Sequence, residues 1–259
     1  GYVDSMLTIE RDHLDFVPLT NQLLGVHFIN PENIHIHPNA IVMPGCVLNA
    51  TDGPIIIHNK AKVMANCYLE GPLSVGEGST IKAGARIYEG SVIGPICKVG
   101  GEVENSIFHS FSNKQHEGFL GHSVVGKWVN LGAETNNSDL KNNYGHVKSW
   151  SDGHQVDTEK MFVGLTIGDH SKSGINTMFN TGTVVGIMSN VFGSGFPPTY
   201  IPDFSWGGAE SIEQYKLEKG IEVAERVTAR RNVTLTNAEK KLLSHWFSLS
   251  KTQSHNIES

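Results

Sequence analysis

The chain has 259 residues, 39% of them hydrophobic and 18% charged, with 28 glycines and a formal net charge of −6. The acidic balance argues against a nucleic-acid binder, which carries a basic stripe, and no window approaches 18 consecutive apolar residues, so no membrane span is expected. Three cysteines, Cys46, Cys67 and Cys97, are odd in number and far apart, which speaks against a disulfide framework and a clustered zinc site; with no basic-then-apolar leader, a cytoplasmic protein is expected.

Residues 1–33 read as a lead-in, and a repeat opens with Ile36 and Val42. From Ile57 every sixth residue is aliphatic for eight steps: Ile57, Val63, Leu69, Val75, Ile81, Ile87, Ile93 and Val99. Four residues after each stands Ala61, Cys67, Leu73, Ser79, Ala85, Ser91, Cys97 or Val103, mostly small. A large residue pointing inward, a small one near the corner, and Gly or Asn in the turn make a hexapeptide repeat, three hexads to a triangular coil. The phase returns at Phe119, Val125 and Leu131, then at Ile167, Ser173, Phe179, Val185 and Val191, for eighteen hexads and six or seven coils. A β-sandwich would instead alternate with period two.

This pattern predicts an all-β, single-stranded parallel β-helix over 34–196, with 105–118 and 136–160 as inserted loops. The cysteines fall in small inward slots and read as core. The proline-rich run 196–202 ends the solenoid, and 197–259 is an extension with two α-helices. Leu217, Ile221, Ala224 and Val227 at helical spacing predict the first helix over about 211–230. Thr236-Asn237-Ala238-Glu239 is a capping box opening the second. The helices are expected to cap the open end of the prism or pack on a neighbour.

Histidine titrates near neutrality and suits removal of an amine proton. Among thirteen histidines, His116 ends the mid-prism excursion where the coil resumes, so a loop projects it onto a rigid rung. His122 and His170 are alternatives that also read as outward rung residues. A zinc-dependent prism enzyme needs three converging imidazoles; His116, His122 and His146 lack a spacing that would supply them, and no metal site is expected.

The segment His116-Glu117-Gly118-Phe119-Leu120-Gly121-His122, followed by Val129-Asn130-Leu131-Gly132-Ala133, resembles the acetyltransferase part of bifunctional GlmU. That enzyme joins a glucosamine-1-phosphate acetyltransferase to an N-acetylglucosamine-1-phosphate uridyltransferase. Lys98–Val103, Ser112–Lys114, Asn136–Tyr144, Gly168–Thr177 and Phe204–Gly208 extend the resemblance to a GlmU-like family of sugar-1-phosphate nucleotidyltransferases, over about residues 25–248. It implies a left-handed β-helix, a homotrimer with sites between subunits, acetyl-CoA as cofactor and an amino-sugar phosphate as substrate. It implies His116 as the catalytic base, Asn130 as a sugar contact and Ala133, Lys172 and Ser173 along the acetyl-CoA groove. Arg86 keeps the first Arg of the family's phosphate-gripping turn, whereas Tyr88 stands at the gripping position itself. Glu104 stands near a family Lys, and Phe119 replaces a Tyr. The Asn-rich stretch with Asn137 and Lys141 corresponds to a loop that reaches the sugar; as a plain reading it is a polar turn cluster.

Two functions follow. One is an acetyl-CoA-dependent N-acetyltransferase with His116 as base. The other is a non-catalytic trimerising or regulatory domain of a sugar-1-phosphate nucleotidyltransferase whose catalytic half precedes it.

Overall fold

The computed structural model describes residues 23–151 and 153–257, with side chains to residue 250; most of the lead-in lies outside these residues. The body is a parallel β-helix with three faces, followed by two α-helices. Each coil visits the faces in the same order. Strand Ile55–Ile57 lies on face 1, Lys62–Val63 on face 2 and Tyr68–Glu70 on face 3, before Leu73–Val75 returns to face 1.

All eight sixth-position aliphatics from Ile57 to Val99 are buried in the prism. Cys46, Cys67 and Cys97 are buried beside them, and burial pushes the thiols of Cys67 and Cys97 up to about 11. Such thiols stay protonated near neutrality and are core, not nucleophiles.

Nine strands stack on face 1, the last being Tyr200–Ile201. The solenoid is therefore longer than six or seven coils and exceeds 34–196 at both ends. His27–Ile29 pairs with Val47–Asn49, and Ser205–Gly207 pairs with Asn190–Val191. Pro197, Pro198 and Pro202 lie outside the strands, where no ladder N–H is missed, so the proline run does not end the fold.

Segment 105–118 is not an inserted loop. Ile107–Phe108 pairs with Val92–Ile93, and Asn113–Lys114 with Lys98–Val99. The coil is short instead: Val99 and Lys114 are fifteen positions apart, whereas Ile81 and Val99 are eighteen apart. The hexad phase slips, so Leu120 rather than Phe119 is the buried residue of the next rung. In 136–160, Asn136–Asn137 is a rung paired with Met178–Phe179, and the true excursion is the antiparallel hairpin of Lys148–Ser151 with His154–Asp157. Trp150 of that hairpin stacks on Tyr200 at 4.5 Å.

At the edge between faces 1 and 2, Phe111, Trp128, His170, Met188 and Phe204 all hold positive φ, between 52° and 65°. Bulky residues seldom adopt this conformation. Here they stack, Phe111 on Trp128 at 4.1 Å and Trp128 over His170 at 6.3 Å. The helices α1 (Leu217–Ala229) and α2 (Asn237–Ile257) lie along this edge. Ala224, Leu235 and Leu243 pack with Met188 and Phe204, and the Trp246 indole donates to Asp203 at 2.8 Å. The capping box forms: the Thr236 N–H donates to the Glu239 carboxylate, and the Glu239 N–H donates to Thr236 Oγ1. Helix α1 starts after residue 211 because Ile212–Gln214 first adds an antiparallel strand to Ser205–Gly207. None of the described helices is long and apolar enough to cross a membrane.

Ile87 tests the inward register. Ile87→Ala is expected to cost roughly 2–5 kcal/mol through lost burial and a residual cavity, read from denaturant midpoints. A loss under about 0.5 kcal/mol would instead mark a surface position.

Candidate functional site

The edge between faces 2 and 3 gathers several of the candidate residues. His116 and Glu117 form a bend on one coil and are exposed. Ala133 and Glu134 cross the same edge one coil further on, and the Glu134 N–H donates to the Glu117 carbonyl at 3.0 Å. Above them the Asn176 N–H donates to the Ala133 carbonyl at 2.8 Å. Arg86 stands beside the edge on face 3, with its guanidinium 3.2 Å from Glu102 and 3.7 Å from Glu117. Asn130 stands on the other side, on face 2, exposed and bridged between Asn113 and Lys172. Residues far apart in the chain thus share one edge because each coil returns to the same line.

Beneath His116 lies a buried ammonium. Lys114 fills the inward slot that Val63, Ile81 and Val99 fill in the coils below. Its Nζ donates to the carbonyls of Gly100 (2.9 Å), His116 (3.2 Å) and Gly118 (2.5 Å). Burial pulls this ammonium down to about 8, against the neighbouring Glu117 and Glu134 carboxylates, which favour the charge.

The remaining expected contacts part company. Asn137 is buried, and its amide pairs with both backbone groups of Gly121, accepting from the N–H at 2.9 Å and donating to the carbonyl at 3.0 Å. Ser173 faces inward, bonded to Thr135 Oγ1 at 2.7 Å and to the Gly132 N–H at 3.0 Å. Lys141 donates to the His146 carbonyl at 2.6 Å and closes a turn. All three side chains thus hydrogen-bond within the fold. Lys172 donates to the His170 carbonyl at 2.8 Å, and burial pulls its ammonium down to about 8. Tyr88 belongs to the opposite side of face 3, its ring 5.9 Å from Tyr68. Its hydroxyl titrates high, from burial first and then the Glu102 charge.

That opposite edge, between faces 3 and 1, holds a group not foreseen from sequence. Glu104, His122 and Asp139 bring their donor atoms within 4.8 Å of one another. His122 Nδ1 lies 2.8 Å from Asp139 and 3.9 Å from Glu104, and the ring stacks on Phe162 at 5.0 Å. Burial, and then Asp139, raises the Glu104 carboxyl. A cation or an acid–base pair is chemically possible here. The spacing carries the signal, since positions 104, 122 and 139 fall one coil apart.

His170 is buried against Trp128, and its Nδ1 has no hydrogen-bond partner among the described residues. Burial, reinforced by the Lys172 charge, lowers it from 6.5 to about 4. It is therefore neutral at pH 7 and shielded from substrate. As pH falls from 6.5 to 4 the unfolded chain binds this proton and the folded chain does not, so stability drops with falling pH. The drop attributable to His170 should be on the order of 3 kcal/mol. Wild type and His170→Gln compared by denaturation at pH 7 and pH 4 should differ in acid sensitivity by that amount; parallel pH curves would refute the assignment.

No family model matches the chain. It is 28% identical over 215 residues to the bifunctional sugar-1-phosphate nucleotidylyltransferase/acetyltransferase of Sulfurisphaera tokodaii, covering 74% of this chain and 54% of that protein. It is 27% identical over 139 residues to the bifunctional protein GlmU of Ruthia magnifica, covering 52% of this chain and 30% of GlmU. The match falls on the C-terminal part of these relatives, and the chain spans about half the length of the first and a third of the second. Among solved structures, the UDP-N-acetylglucosamine acyltransferase of Campylobacter jejuni is similar at 15% identity and a TM-score of 0.41, covering 86% of this chain and 89% of that one. The chain is GlmU-like in sequence, as its motifs implied.

Proposed function

We propose that this chain is a hexapeptide-repeat acyltransferase, the C-terminal part of a GlmU-like protein, which moves an acetyl group from acetyl-CoA to the amine of an amino-sugar 1-phosphate. The observation that carries this reading is the convergence of His116, Ala133, Asn130 and Arg86 on one solenoid edge. The sequence relatives support it, being named as nucleotidylyltransferase/acetyltransferase and GlmU proteins.

In the reaction the amine nitrogen attacks the thioester carbonyl. His116 takes the proton from nitrogen as the N–C bond forms and returns it to the thiolate sulfur as the C–S bond breaks. Asn130 contacts the sugar. Arg86 draws in the phosphate; its exposed pairs with Glu102 and Glu117 are worth only about 0–1 kcal/mol each, so an incoming phosphate displaces them cheaply. The Ala133 corner and the Lys172 rung line the acetyl-CoA side. A homotrimer would close the groove with a neighbouring prism.

One observation favours a second base. The bond from His122 Nδ1 to Asp139, at 2.8 Å, leaves Nε2 as the nitrogen that faces a substrate. The two readings separate by mutation. His116→Ala should lower kcat by about 10²–10⁴-fold with acetyl-CoA affinity kept, while His122→Ala stays within threefold. The reverse pattern would move the base to His122. Absence of both turnover and acetyl-CoA binding, in calorimetry with and without glucosamine 1-phosphate, would leave the trimerising-domain reading.

A further inference from the structure

Among the described residues His116 has no side-chain partner that would aim it, but its backbone is held from inside the prism. A lysine in an apolar slot is costly unless its charge is satisfied. Lys114 meets that demand without a contacting carboxylate among the described residues: each of its three N–H bonds is spent on a carbonyl, and two of those carbonyls belong to His116 and Gly118. The ammonium has three donors and no acceptor, so donors and acceptors match one to one. Gly118 holds φ of +121°, and its Cα lies so close to the Thr135 carbonyl that an added Cβ would come within 2.3 Å. The bend is therefore pinned from below by Lys114 and from above by the next coil.

Resting on His116 as the base, we propose that Lys114 is a positioning residue for acyl transfer, setting the backbone of 116–118 and with it the place from which the imidazole works. The groups facing it bear on its charge state. Glu117, Glu134 and Glu102 favour the ammonium, and Arg86 opposes it. Above about pH 8 the neutral amine keeps two N–H donors and turns a lone pair toward a carbonyl oxygen, so the bend loosens while the apolar rungs hold.

Lys114→Met preserves length and apolar fit and removes all three donors. It should fold, retain its melting transition within a few degrees, and lower kcat at least tenfold with KM within twofold. Hydrogen exchange of the peptide spanning 115–121 should accelerate at least tenfold at pH 7 while that spanning 86–99 is unchanged. In wild type the same peptide should lose protection above about pH 8, beyond the ordinary rise of exchange with pH, and Lys114→Met should lack that step. A folded Lys114→Met with unchanged kcat and unchanged exchange overturns the proposal. So does an effect confined to KM. If Lys114→Met fails to fold, the wild-type exchange step alone decides, and its absence overturns the proposal. Failure of the underlying reading looks different: His116→Ala would stay active while the exchange behaviour of 115–121 remained as expected.

Discussion

The structure depends on parallel, in-register stacking of coils. On face 2, Lys62 lies beside Thr80 and Thr80 beside Lys98, each one coil apart. The rung strands are two or three residues long, and strands that short have no stability alone. They persist because every coil is hydrogen-bonded above and below, as where the Tyr68 N–H donates to the Ala85 carbonyl at 2.9 Å. The same stacking converts distance in sequence into adjacency on an edge. Arg86, His116 and Ala133 meet for that reason, and so do Glu104, His122 and Asp139.

Stacking also decides what an irregular coil does. A coil three residues short cannot keep the hexad phase, yet it must present a strand to each neighbour. The slip puts Lys114 where an aliphatic belongs and brings Asn137 inside at the next coil of face 3, between Leu120 and Phe179 in the stack. The interior of the prism turns polar at the level of His116. Each intruder is tolerated because its polar atoms meet backbone partners: Lys114 serves three carbonyls, and Asn137 serves the N–H and the carbonyl of Gly121. The regular coils supply rigidity, and the irregular ones build the site.

This explains how far the sequence could be read. The eight aliphatics from Ile57 to Val99 announce themselves because burial demands them at a fixed interval. The capping box at Thr236 and Glu239 is legible because its two bonds are local. Lys114 was not legible, since a lysine in an inward slot makes sense only once the carbonyls of residues 100, 116 and 118 surround it. The left-handed corner residues Phe111, Trp128 and His170 were equally hidden. Their conformation runs against their intrinsic preference, and it is offset by their stacking on one another, while helices from much later in the chain pack on Met188 and Phe204 of the same edge. The Glu104, His122 and Asp139 group was visible in principle, at intervals of eighteen and seventeen residues, and was missed by weighing histidines one at a time.

The two histidines of this coil are fixed by opposite means, and the difference bears on what each can do. His122 is held through its ring: Nδ1 is engaged by Asp139 and the ring face lies on Phe162. It presents one nitrogen in one direction. His116 is held through its backbone, at the carbonyl that Lys114 engages, and its imidazole stays in solvent. A base in acyl transfer takes a proton from nitrogen and delivers it to sulfur, two atoms bonded to the same tetrahedral carbon. One imidazole nitrogen can serve both, and a ring held at its other nitrogen by a carboxylate keeps that capacity. What separates the two is their surroundings: the His122 ring lies beside the Asp139 and Glu104 carboxylates, which oppose an incoming phosphate, whereas the His116 corner adjoins Arg86, which attracts one.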